Sequence, residues 1–156
     1  MYVPMVVALL LLLPVASILI QLNIAGTSSS TVEIALRWFV FWAVGVRLLL
    51  AGLRQVTRPD YTAKVILGLK SEEPLIVVRE LGIANTAIGC VGVASVMIHG
   101  WSLPMALAGA VFYGLAGMNH ATHRQRGRLQ DVAMVSDLLI AVVLACCFAL
   151  VATGRR

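Results

Sequence analysis

The sequence predicts an all-α fold: a polytopic bundle of about five transmembrane helices with a short interfacial helix on the cytoplasmic side. Hydrophobic residues make up 60% of the 156 residues and charged residues only 12%, about half the charged share of a soluble domain. The mean hydropathy is +0.95. A soluble fold of this size still exposes roughly a third of its unfolded surface, so lipid must cover the apolar excess. A soluble domain, a disordered tail and a nucleic-acid-binding module are therefore excluded.

Five apolar segments are each long enough to be a span, since about 20 residues cross a hydrocarbon core of about 30 Å. Backbone groups in lipid must bond within their own segment, which predicts helices. The predicted spans are residues 3–22, 32–56, 74–98, 103–120 and 130–153 of one domain, residues 1–156. No Lys or Arg precedes the first span and its apolar run is long for a signal peptide, so we expect it to be retained.

Basic residues predict the orientation of these spans. Eight of them lie at or near the loops that follow spans two and four: Arg54, Arg58, Lys64, Lys70, Arg79, Arg124, Arg126 and Arg128. The opposite side carries only Arg155 and Arg156. The positive-inside rule then places the N-terminus in the cytoplasm. Residues 58–68, between spans two and three, are predicted to form a short amphipathic helix on the inner leaflet.

Small residues recur at helical spacing on two spans. The third span carries Gly82, Asn85, Gly89 and Gly92, and the fourth carries Ala106, Ala110, Gly114, Gly117 and Ala121. Such faces let membrane helices approach closely, and a turn of residues 99–102 joins the two spans. We therefore expect spans three and four to form a close antiparallel hairpin, with Asn85 donating a hydrogen bond across it.

Polar residues inside the spans collect in the cytoplasmic half. At about 1.5 Å per residue, this half holds Arg47, Glu80, Asn85, Asn119, His120 and Asp137. Ionisable residues in a membrane are costly and need a partner or a purpose, so we expect Asp137 or Glu80 to neutralise Arg47. Two interpretations stay open: the cluster fixes helix packing, or it forms a ligand pocket. The predicted ligand-binding residues are Arg47, Glu80, Asn85, Tyr113, Asn119, His120 and Asp137.

The favoured functional hypothesis is a cytoplasm-facing intramembrane pocket that binds or passes a small molecule, an ion or a lipid headgroup. His120 could make it respond to pH. One alternative is an accessory or assembly subunit of a larger membrane complex. Another is a membrane-embedded enzyme that uses His and carboxylates, although no motif fixes a reaction. No catalytic residue, metal ligand set or cofactor is predicted. The expected partners are the bilayer, a small-molecule or lipid ligand, and a homo-oligomer or larger complex, but no nucleic acid.

Three stretches carry a resemblance to known proteins. They are VVRELGIAN at 77–85 with AIG at 87–89, YGLAGMNH at 113–120 and VAMVSDL at 132–138. They resemble a family of uncharacterised bacterial inner-membrane proteins of four or five helices, classed as a domain of unknown function, over roughly residues 57–151. A weaker likeness, in helix count and an Arg-rich inner side, is to DoxX-like membrane proteins. The resemblance implies a multi-pass protein of a bacterial inner membrane and implies no mechanism.

Overall fold

The computed structural model describes residues 2–24, 29–66, 75–122 and 127–154, and every element in these ranges is helical. The five long helices are α1 (Tyr2–Asn23), α2 (Thr31–Thr57), α3 (Leu75–Ala94), α4 (Ser102–Thr122) and α5 (Arg128–Ala152). They coincide with the five predicted spans apart from a few residues at the ends. A short π-helix, Tyr61–Ile66, lies where the interfacial helix is predicted; the end expected for that helix, residues 67–68, lies outside the described ranges.

Local sequence explains how the first two helices form. Ser30 caps α2: its hydroxyl accepts a hydrogen bond from the Glu33 backbone N–H, and the Glu33 carboxylate accepts one from the Ser30 N–H at 2.9 Å. Two π-helical stretches, Ala8–Leu12 in α1 and Val40–Val46 in α2, interrupt the α-helical pattern. The first ends two residues before Pro14, whose ring would clash with a carbonyl one turn earlier in a regular α-helix. The wider π turn therefore lets α1 continue through the proline.

Two pairs of antiparallel helices pack closely. In the α2–α3 pair, a Cβ built on Gly89 would lie 2.7 Å from the Leu49 Cα, so the two backbones touch. In the α4–α5 pair, Gly117 lies against Leu138 and Gly109 against Leu144. In a membrane, such close packing stabilises helix association more than hydrophobic burial does.

The predicted hairpin of spans three and four is wrong. Helices α3 and α4 make few contacts with each other, whereas α3 packs along α2 and α4 packs along α5. The small-residue face of α3 meets a matching face on α2, which carries Gly45 and Gly52. A small-residue face permits close approach by any helix of complementary shape, so the short turn between α3 and α4 does not decide the partner.

Helix α2 lies at the centre of the bundle and contacts the other four long helices. The buried core runs along it and includes residues of α1, α4 and α5: Val6, Leu10, Leu36, Val40, Ala43, Val44, Leu48, Met105, Ala106, Tyr113, Ile140 and Leu144. Four of the described helices, α1, α2, α3 and α5, are long and apolar enough to cross a membrane. Helix α4 is 21 residues long but is not among the four. The fold is thus consistent with a multi-pass membrane protein.

Candidate binding cavity

A buried ion pair joins α2 to α5 near one end of the bundle. The Arg47 Nη2 atom lies 2.7 Å from the Asp137 Oδ1 atom, and the two side chains are only 10% and 8% exposed. The same Nη2 atom donates to the Ser136 hydroxyl at 3.3 Å. Asp137 therefore neutralises Arg47, as one of the two predicted partners. Because only one terminal nitrogen of the guanidinium is engaged, the paired, two-nitrogen geometry typical of Arg–carboxylate contacts is absent from this site.

Tyr113 ties α4 to this ion pair. The Arg47 guanidinium carbon lies 4.8 Å from the centroid of the Tyr113 ring, a distance at which a cation is attracted to the ring face. The Tyr113 hydroxyl donates a hydrogen bond to the Ala43 carbonyl, within the π-helical stretch of α2. The side chain is 1% exposed. Tyr113 thus contacts Arg47 and fixes α4 against α2.

Asn85 forms a cross-helix hydrogen bond from α3. Its Nδ2 atom donates to the Gln55 Oε1 atom on α2 at 2.8 Å, and both side chains are buried. Such a bond is expected from the sequence, but across the hairpin of spans three and four. The partner is on α2 instead, because α3 packs there.

A partly open cavity of about 450 Å³ lies among these groups. It is lined by Tyr2, Met5, Arg47, Leu48, Leu50, Ala51, Arg54, Gln55, Tyr61, Thr62, Leu81, Asn85, Phe112, Tyr113, Ala116, His120, Ala133 and Asp137. All five long helices and the short π-helix contribute. The volume is within the range of small-molecule sites, which are largely apolar with a few placed polar groups. The cavity lies at the end of the bundle that carries Arg54, Arg58, Lys64, Arg79 and Arg128, here called the basic end.

Two polar atoms at the cavity have no hydrogen-bond partner among the described residues. They are the Nη1 atom of Arg47 and the Oδ1 atom of Asn85, and both are buried. Almost all buried polar groups in proteins are paired, and leaving one unpaired costs about 1–3 kcal/mol, more for a charged group. One donor and one acceptor are therefore left unpaired in residues that line the same cavity.

Five of the seven predicted site residues line the cavity: Arg47, Asn85, Tyr113, His120 and Asp137. The other two, Glu80 and Asn119, are exposed and do not line it. Glu80 is five positions from Asn85, which at about 100° per residue turns its side chain about 140° away. Depth along a helix was therefore insufficient to predict the site, because it ignores the direction in which each side chain points.

Several lining residues escaped the sequence analysis, among them Tyr2, Arg54, Gln55, Tyr61 and Thr62. A signal for Arg54 was present, because it stands seven positions after Arg47 and so lies on the same helical face. Gln55 is a polar residue at the end of a predicted span. Nothing in the local sequence indicates that the first residues of α1 reach the cavity, since that depends on how α1 packs.

Comparison with known proteins places the chain in a family. No curated protein matches it significantly, and no solved structure does. The bacterial origin and the weaker likeness to DoxX-like proteins stay predictions. The model of one family, the family of unknown function DUF6790, matches residues 3–156. The chain belongs to DUF6790.

Proposed function

We propose that this protein binds a small molecule in the cavity at the basic end of the bundle. The observation that carries the proposal is the pair of buried unpartnered atoms, Arg47 Nη1 and Asn85 Oδ1, in residues that line one cavity. A ligand with both an acceptor and a donor would satisfy them, and their burial would make each such bond strong. The proposal covers both a ligand that stays bound and one that passes through, because either must first occupy this cavity.

The ion pair by itself is compatible with both interpretations, a contact that fixes helix packing and a ligand pocket. The cavity beside it distinguishes between them. A pair that only fixed α2 against α5 would need no space beside it, since protein interiors are packed to the density of organic crystals. Here the space reaches six helical segments, and the Nη1 atom of Arg47 has no hydrogen-bond partner in the part of the chain that the structure describes. These features favour a binding site over a purely structural contact.

We also propose five spans, with the basic end in the cytoplasm of a bacterium and the protein in its inner membrane. Helix α4 lies against α5 from Gly109 to Gly117, and α5 is long and apolar enough to cross. If α5 crosses the membrane, α4 crosses it too, because the two helices lie side by side. The clustering of Lys and Arg at the basic end supports the cytoplasmic orientation.

Reporter fusions test this topology. With five spans and a cytoplasmic N-terminus, alkaline phosphatase fused after Gly100 or at the C-terminus should be active, because both sites lie outside the cytoplasm. Green fluorescent protein at the same two sites should be dark. If α4 does not cross, the C-terminal site lies in the cytoplasm, and the two reporters exchange their signals there while the fusion after Gly100 is unchanged. That exchange would contradict five spans.

A cavity-filling variant tests the binding proposal. Ala116 lines the cavity on α4, so Ala116→Trp should fill it and exclude the ligand. Ala108, on the same helix, is exposed and lies outside the cavity, so Ala108→Trp is the matched control. Each full-length protein is extracted from native membranes in polymer-bounded discs, and mass spectrometry measures which molecules co-purify beyond bulk lipid. We expect wild type and Ala108→Trp to carry a molecule that Ala116→Trp loses about tenfold or more. Identical co-purifying molecules in all three proteins would overturn the proposal.

A further inference from the structure

We infer that the ligand of this cavity is an amphipathic anion, a molecule with one carboxylate or phosphate group and a hydrogen-bond donor on an apolar body. The inference rests on the proposed function and narrows it. Among the described residues, two arginines, Arg47 and Arg54, line the cavity, but only one carboxylate does, that of Asp137. The other acids of the described basic end, Asp60, Glu80 and Asp131, do not line it. Counted over the arginines and the aspartate of the described lining, there is one excess positive charge.

The two arginines are placed to share one anionic group. They stand at i and i+7 on α2, about 10 Å apart along the axis, with the small side chain of Ala51 between them on the cavity wall. Asp137 holds Arg47 through Nη2, which leaves Nη1 for a second acceptor. Arg54 is exposed, and its guanidinium carbon lies 3.9 Å from the centroid of the Tyr61 ring. This stacking keeps a cation at the cavity without using its N–H donors.

The remaining wall suits an apolar body. Four aromatic rings face the cavity, those of Tyr2, Tyr61, Phe112 and Tyr113, and aliphatic side chains fill most of the space between them. A small hydrophilic anion would leave this apolar surface without a partner, and an uncharged hydrocarbon would leave the arginine donors unpaired. An amphipathic anion that also carries a hydroxyl or amide group satisfies both parts of the wall and supplies a donor to the Asn85 Oδ1 atom. An anionic phospholipid of the bilayer and a soluble amphipathic acid share this chemistry.

Two probes with the same apolar chain test the charge preference: octanoate has an anionic headgroup, and octanamide has a neutral one that can also donate hydrogen bonds. Octanoate and octanamide are titrated separately into the full-length protein in nanodiscs of phosphatidylcholine, with empty nanodiscs as the blank, and binding is measured by calorimetry. We expect octanoate to bind about tenfold more tightly than octanamide, because charge-assisted hydrogen bonds are stronger than neutral ones. Arg54→Gln should remove that preference by weakening the binding of octanoate more than that of octanamide. Arg58→Gln removes a neighbouring exposed arginine that does not line the cavity, and it should change neither affinity.

The outcomes separate this inference from the proposed function. If both probes bind equally, and Ala116→Trp abolishes both, the cavity binds ligands but the anion preference is wrong. If neither probe binds above the blank, both proposals fail. An equal loss of octanoate affinity in Arg54→Gln and Arg58→Gln would reduce the effect to general surface charge and overturn the inference.

A second arm identifies the source of the anion. Nanodiscs that contain phosphatidylglycerol replace those of phosphatidylcholine alone, and the octanoate titration is repeated. Loss of octanoate binding, together with one phosphatidylglycerol retained per chain in native mass spectrometry, supports a lipid headgroup as the ligand. Undiminished octanoate binding supports a soluble acid. Retention of phosphatidylglycerol that Arg54→Gln does not reduce would count against a role for the cavity arginines.

Discussion

Asp137→Asn should lower the free energy of unfolding by about 3–5 kcal/mol, the usual cost of removing one partner from a buried ion pair. Asparagine has nearly the same shape as aspartate, so the loss would come from the charge left on Arg47 and not from a cavity. The guanidinium is about nine-tenths buried, and no other carboxylate among the described lining residues can replace Asp137. The measurement is unfolding in mixed micelles of rising dodecyl sulfate content, followed by circular dichroism.

The double variant Arg47→Met/Asp137→Asn separates charge from packing. It contains no buried charge, and replacing a buried ion pair by well-packed neutral side chains is often close to neutral. We therefore expect the double variant to be markedly more stable than Asp137→Asn alone. Glu80→Gln, which neutralises an exposed acid at the same end, is the control and should change stability by no more than about 0.5 kcal/mol. Equal unfolding midpoints for Asp137→Asn and Glu80→Gln would show that the ion pair does not stabilise the fold.

Gly89→Ala is expected to destabilise the protein by about 3 kcal/mol, at the upper end of the range for overpacking. The new Cβ would lie 2.7 Å from the Leu49 Cα, and the nearby Gly45 carbonyl oxygen is at 2.9 Å. These atoms belong to the backbone of α2 and cannot move aside as a flexible side chain would. The α2–α3 pair must therefore separate, which weakens the contacts along its whole length.

Gly114→Ala is the matched control for this substitution. Gly114 also lies on a small-residue face, that of α4, but a Cβ there would have as its nearest neighbour the Ala141 Cβ at 3.8 Å, an ordinary van der Waals distance. We expect its stability to stay within about 0.5 kcal/mol of wild type. The same unfolding assay compares the two variants. If Gly114→Ala destabilised the protein as much as Gly89→Ala, glycine content and not backbone contact would explain both effects.

The positions of the helices could be predicted from the sequence, but which helices pack against each other could not. Composition and apolar run length were sufficient for the helices, because a chain this apolar has few other ways to satisfy its backbone. Helix pairing was not predictable in the same way. The glycines of α3 indicate that something packs closely, but the partner depends on the matching face that α2 presents through Gly45 and Gly52.

Only some of the residues that line the cavity could be predicted, again because the lining depends on how the helices pack. Charge and depth led to Arg47 and Asp137, because a buried cation requires an acid within reach. The same reasoning also selected Glu80, which lies at a similar depth along α3 but is exposed and does not line the cavity. It also missed Tyr2, which reaches the cavity only through the packing of α1.

The π-helical stretch Val40–Val46 determines the direction in which the later side chains of α2 point around the helix axis. A π turn closes its hydrogen bond one residue later than an α turn, and each added residue rotates the downstream side chains by about 100°. Arg47 is the first residue after this stretch. The orientation of its side chain toward Asp137 therefore depends on the number of residues in the π-helical stretch. A one-residue deletion within 40–46 would turn the guanidinium away from Asp137 without altering any residue of the cavity.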